Sequence, residues 1–130
     1  MEFVNGFRDL EVYKLSRLLS KEIFEISKNF PKEEMFSLTD QVGRSSRSIG
    51  AQIAEAWGKR KYEKHFVSKL TDADGEQLET QHWIETAFDC SYISIDTSKD
   101  LLQQYDSVGR MINSMIKKSA SFCNNKEPVS

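Results

Sequence analysis

The sequence predicts an all-α fold, an up-down-up-down four-helix bundle, and three observations carry that prediction. Apolar residues recur at helical spacing along nearly all of the 130 residues. No stretch shows the apolar–polar alternation of a half-buried strand. Only two prolines interrupt the chain, so helices long enough for a bundle can form with short connections. Hydrophobic residues make up 38% and charged residues 29%, the balance of an ordinary globular domain rather than a disordered segment.

The first helix is predicted over about 8–30. Val12, Leu15, Leu19, Ile23, Ile26 and Phe30 form one apolar stripe, Asp9 is its expected N-cap, and Phe30-Pro31 stops it, because the residue before proline is pushed out of helical geometry. The second is predicted over about 33–58, starting near Lys32 to Met35, with Glu33 and Glu34 suited to a helix N-terminus. Its seam is Leu38, Val42, Ser45, Ile49, Ile53 and Ala56, and Gly58 is a natural C-terminal stop.

The third helix is predicted over about 62–92, with the seam Phe66, Leu70, Ala73, Gln77, Thr80, Ile84 and Ala87. Its middle is polar, and Gly75 inside it suggests a close packing contact, since glycine costs a helix about 1 kcal/mol relative to alanine. The fourth is predicted over about 98–120, capped by Asp96, Thr97 or Ser98. Leu101, Tyr105, Val108, Ile112, Met115, Ser119 and Phe122 give it a strict heptad seam. Residues 121–130 read as a polar tail.

The second helix carries two further patterns. Gly43, Ser46, Gly50 and Ala54 make a ridge of small residues, suited to close approach by the third helix or by a second subunit. Arg44 and Arg47 point away from the apolar seam, with Asp40–Arg44 a favourable pair and Arg47–Ala51–Glu55 a similar row. Beyond them come Lys59, Arg60, Lys61 and Lys64, so one stretch is locally basic although the chain has a net charge of −2. That rim at the turn between the second and third helices is the candidate phosphate contact; the alternative is a solvated turn. From Asp72 to Asp89 the chain is acidic, with no Lys or Arg.

Other chemistries find little support. DADGE, from Asp72, lacks the later ligands of a calcium loop. Glu79-Thr-Gln-His82 is one Glu-x-x-His motif without the twin a di-iron bundle needs. Gly58-Lys59 lacks the first glycine and the hydroxyl of a P-loop. Trp57 and Trp83 are expected between helices. No catalytic residue, metal site or cofactor is expected. Cys90 and Cys123 have no metal-spaced companion, and no apolar run suits a signal peptide or membrane span, so a reduced cytoplasmic protein without membrane attachment is expected.

FRDLEVY from Phe7, FP at Phe30-Pro31 and QVGRSSRSIGAQIAEAWGK from Gln41 resemble the blocks FxDLxV(W/Y), FP and QLRRAxxSIxANIAEGxGR of the four-helix-bundle proteins encoded in 23S ribosomal RNA intervening sequences. DADGEQLETQHWIETAFDCSYI resembles that family's third-helix block, and the likeness runs over about residues 7–118. The resemblance implies a homopentameric ring and kinship with the accessory variability proteins of diversity-generating retroelements. Those proteins bind a reverse transcriptase and touch nucleic acid through basic residues. It thus implies RNA, DNA or a basic protein such as a reverse transcriptase as partners besides further copies of the chain. The family's Arg-Arg pair is Gly43-Arg44 here, so only Arg44 carries over; Arg47 replaces an apolar residue, and Gln52 and Ala56 replace Asn and Gly.

Overall fold

A computed structural model describes residues 4–123. Four main helices pack against one another: α1 (Glu11–Ser27), α2 (Leu38–Gly58), α3 (Glu63–Asp89) and α4 (Ile95–Lys117), followed by a one-turn α5 (Ser119–Phe122). Short 3-10 turns at Phe7–Asp9 and Lys32–Glu34 precede α1 and α2. No strand occurs among the described residues.

Cross-helix contacts fix the directions. Between α2 and α3, Ser45 meets Thr80 and Glu55 meets Lys69, so rising numbers on one helix meet falling numbers on the other. Between α3 and α4, Gln81 reaches Asp106 and Asn113 reaches Asp74, again antiparallel. Between α1 and α2, Gly50 packs on Tyr13 and Ser16, while Arg47 lies over Phe24. The sequential helices therefore alternate up and down.

The seams read from the sequence are the buried faces. Every predicted seam position of α2 and α3 is buried, and so is every one from Leu101 to Ser119. Phe66, Leu70, Ile49, Ile53, Ile112 and Tyr105 are fully enclosed. Each such large apolar side chain contributes about 1.5–3 kcal/mol relative to an exposed one. Trp57 and Trp83 are half-buried against this core, as expected, and Trp57 meets Phe122 edge-on.

The polar middle of α3 is accommodated by pairing. Ser45 Oγ and Thr80 Oγ1 share a buried hydrogen bond of 2.8 Å, and Thr80 also donates to the Glu76 carbonyl. Gln77 donates to Asp74 Oδ1 and accepts from Gln81. The glycine that makes room here is Gly109 of α4, not Gly75. A Cβ on Gly109 would stand 2.7 Å from the Gln77 amide nitrogen, whereas one on Gly75 would meet nothing within 4 Å. The expected close contact at Gly75 is therefore absent.

Helix ends differ from expectation for local reasons. Leu10, not Asp9, holds the N-cap position of α1, and the Asp9 carboxylate instead accepts from the Asn5 amide. The α-helix ends at Ser27, and i→i+3 bonds from Lys28, Asn29 and Phe30 tighten the chain before Pro31. The stretch from Lys32 forms a 3-10 turn, and α2 starts only at Leu38, whose amide donates to Glu34 Oε1. α4 starts at Ile95, three residues before the predicted bound of 98, because Ser94 is its cap: Ser94 Oγ accepts from the Thr97 amide. Asp96, Thr97 and Ser98 thus lie inside the first turn. Residues 121–123 of the predicted tail belong to or follow α5, and residues 124–130 lie outside the described residues.

Candidate nucleic-acid interface

The six basic residues singled out in the sequence fall into two groups. Arg44 and Arg47 lie on the outer face of α2 toward α1; Lys59, Arg60, Lys61 and Lys64 lie at the turn into α3. Fifteen residues of helix separate Arg44 from Lys59, about 22 Å of rise. They are therefore two patches, not one.

At the α1–α2 patch both arginines are exposed, as the helical geometry requires. Arg44 pairs with Asp40 at 3.4 Å. Arg47 does not extend the predicted row to Glu55. Its guanidinium lies 5.7 Å from the Phe24 ring centroid, while Glu55 pairs with Lys69 of α3 at 2.9 Å. That pairing, through hydrogen bond and charge, lowers the Glu55 carboxyl and raises the Lys69 ammonium from their ordinary values. The shallow groove here, about 340 Å³, runs past Phe24, Met35, Gly43, Arg44 and Arg47.

The small-residue ridge lies partly under this patch. Ser46 is buried and donates to the Gly43 carbonyl. Gly50 is the position of close approach: a Cβ there would come within 3.3 Å of Ser16 Oγ. At Gly50 the neighbour is α1 rather than the third helix. Gly43 has open space where its Cβ would be, so close packing does not require a glycine there. Ala54 is half-buried.

The α2–α3 turn gathers the other four cations. Lys59, Lys61 and Lys64 are exposed. Arg60 is held: its Nε donates to the Trp57 carbonyl at 2.9 Å and its guanidinium lies 3.7 Å from the Trp57 ring centroid. This presents a flat cation at a fixed place, a contact worth about 0.5–1 kcal/mol at an exposed site. The spacing of Trp57 and Arg60, one helical turn apart, was the sequence signal for it, and sequence reasoning missed it. Tyr62 and His65, both exposed, pack together beside the lysines with ring centroids 5.5 Å apart. The nearby Glu63 carboxylate is engaged by Ser119 Oγ at 2.5 Å.

The remaining polar motifs are locally absorbed. Glu79 accepts from Trp83 Nε1 at 3.0 Å and the His82 ring stands against the same indole. Asp72 and Asp74 lie within the continuous α3, and Asp74 is held by Gln77 and Asn113. Among the described residues no group of three or more His, Cys, Asp or Glu converges as a metal cage. Cys90 is exposed and Cys123 buried, and they form no disulfide. No described helix is long and apolar enough to cross a membrane.

Comparison with known proteins agrees with this architecture. A crystal structure of a protein of unknown function from the S23 ribosomal protein family of Bacteroides thetaiotaomicron superposes with a TM-score of 0.74 and 28% identity, over 82% of this chain and 95% of that one. No curated protein matches the chain in sequence. The description "23S rRNA-intervening sequence protein" fits residues 8–114. The shared helices and the extent of that match show that the chain belongs to the 23S rRNA-intervening sequence protein family.

Proposed function

We propose that the protein is a non-catalytic, cytoplasmic binding module that works as a homopentameric ring and meets RNA or DNA phosphates through Lys59, Arg60, Lys61 and Lys64. Arg44 and Arg47 form a second, weaker contact, because Arg44 already shares its charge with Asp40. The observation that carries the reading is the state of the α2–α3 turn. Glu55 is bridged to Lys69 and Glu63 accepts from Ser119, and among the described residues none of the turn's four cations stands in an ion pair, so Lys59, Lys61 and Lys64 face solvent beside the Arg60–Trp57 stack. Such an arrangement suits phosphate contact with an aromatic beside it, the combination used for single strands.

The test is binding of single-stranded RNA and duplex DNA over a salt series. Four phosphate contacts on a single strand give a log–log slope of about −3. Reversing Lys59, Lys61 and Lys64 to Glu should abolish the signal, and Arg44→Glu/Arg47→Glu should weaken it less. No binding near physiological salt, or a salt-independent signal, would sink the reading. Mass in solution tests the ring separately: five times the 15.0 kDa chain is expected, and a monomer refutes it.

A second reading places a basic protein, such as a reverse transcriptase, on the acids of α3. It is favoured by Glu76, whose carboxyl is raised first by burial and then by the neighbouring charge of Glu79. A cationic partner would relieve that repulsion. Co-purification of such a partner should be lost when Asp72, Glu76 and Glu79 are reversed to Lys.

A further inference from the structure

The bundle closes unevenly: of its four seams, α1–α4 has the least packing. A groove of about 590 Å³ runs along it. Its floor is apolar, made by Leu18 and Ile26 of α1 over the buried Leu101 of α4. Leu18 is 59% exposed, a large aliphatic side chain with most of its surface in water. The rim is acidic on both sides, with Glu22 and Glu25 from α1 and Asp96 and Asp100 from α4, against the single ammonium of Lys21. Glu25 pairs with Lys28, and Asp100 accepts from Gln104. Glu22 and Asp96 stand in no ion pair among the described residues. One turn along α4 from Leu101, the enclosed Tyr105 hydroxyl has no hydrogen-bond partner. The neighbouring charge of Glu22 adds to burial in holding that hydroxyl neutral.

An apolar floor between two acidic banks selects its occupant by charge. Nucleic acid and anionic lipid are repelled by the rim. Leu18 and Ile26 are eight residues apart, about 12 Å along α1, which matches two turns of a helix laid in the groove. We propose that the α1–α4 groove docks a cationic amphipathic helix of a partner protein. Its apolar side chains seat on Leu18 and Ile26, and its flanking Lys or Arg side chains meet Glu22, Glu25, Asp96 and Asp100. The contact is independent of the basic α2–α3 turn and of the acids on α3.

The probe is a labelled helical peptide with leucines at i, i+3, i+4 and i+7 flanked by Lys and Arg, titrated with the full chain and read by fluorescence anisotropy. A peptide of equal charge with those leucines changed to serine is the control. Leu18→Asp, and separately Glu22→Lys with Asp100→Lys, should each weaken binding by at least about tenfold, the scale of losing one anchor. These side chains lie at the surface, and a thermal melt followed by circular dichroism confirms that each variant folds. Amide shift changes on adding the peptide should fall on α1 and α4. Undiminished binding by both variants, equal binding of the serine peptide, or shifts confined to α3 would each overturn the proposal. So would an oligomeric wild type that Leu18→Asp converts to monomer, because a second copy would then cover the groove.

Discussion

The α2–α3 seam and the α1–α4 seam are both made by amphipathic helices running antiparallel, yet they are finished differently. Along α2–α3, buried apolar residues alternate with the Ser45–Thr80 hydrogen bond, and Lys69–Glu55 bridges the seam from outside. Beyond the N-terminal end of α2, Tyr92 donates to Glu34 at 2.7 Å and ties the chain after α3 to the 3-10 turn. Along α1–α4, Leu18 faces water and the Tyr105 hydroxyl is left without a partner. The first seam supplies cohesion; the second keeps surface that the chain does not use for its own folding.

Stability measurements on single substitutions can break or sharpen that contrast. The largest effect is expected inside the packed seam, where Ile53→Ala removes a fully enclosed side chain and should cost about 2–5 kcal/mol in urea unfolding. A loss below about 1 kcal/mol would mean the seam collapses around the gap and is less tightly packed than its burial indicates.

Next comes Gly109. Gly109→Ala forces the Gln77 amide aside and should cost about 1–2 kcal/mol despite the better helix former. In a Gln77→Ala background the same change should turn neutral or stabilise by up to about 1 kcal/mol. Additive behaviour in that double-mutant cycle would show that Gln77 is not what the glycine accommodates.

The α1–α4 seam should respond with the opposite sign. Tyr105→Phe removes a buried hydroxyl that satisfies nothing, so it should stabilise by about 1 kcal/mol. A loss of similar size would reveal a hydrogen bond there. The pH dependence follows from the same groups. Burial pushes the Tyr105 hydroxyl up, and the hydrogen bond to Glu34 pushes Tyr92 up to about 12. The fold favours the neutral hydroxyl in both cases. The stabilisation is complete below the ordinary tyrosine range and is lost as pH rises through it towards those higher values. Tyr92→Phe and Tyr105→Phe should each flatten the alkaline limb of the melting temperature against pH. The smallest effect is at Leu18: Leu18→Ser should stay within about 0.5 kcal/mol, and a larger loss would mean that α4 already uses it.

Much of this was legible in the sequence because helical seams are periodic and local. Gln77 and Thr80 were placed on the core face by spacing alone, against their polarity, and both are buried. Helix ends were read less well. Asp9 and Ser94 are both plausible caps by type, but only Ser94 meets its helix amide, a choice made by backbone geometry that composition does not encode. Gly75 and Gly109 show the same limit, since which glycine faces a bulky neighbour depends on the rotation of two helices. Within the candidate interface, the outward direction of Arg44 and Arg47 was legible from the seam. The partner of Arg47 was not, because Phe24 comes from another helix. The α1–α4 groove was not visible at all, being an interval between elements rather than a property of either.

The Ser45–Thr80 bond has a consequence for how closely stability and uniqueness travel together. A turn's slip of α2 past α3 would keep many aliphatic contacts but take from the Ser45 hydroxyl its partner, at about 1–3 kcal/mol, while Thr80 keeps its bond to the Glu76 carbonyl. Replacing the pair by Ala and Val could therefore raise the melting temperature while admitting neighbouring alignments. Spectral line widths, rather than unfolding free energy, would register that change.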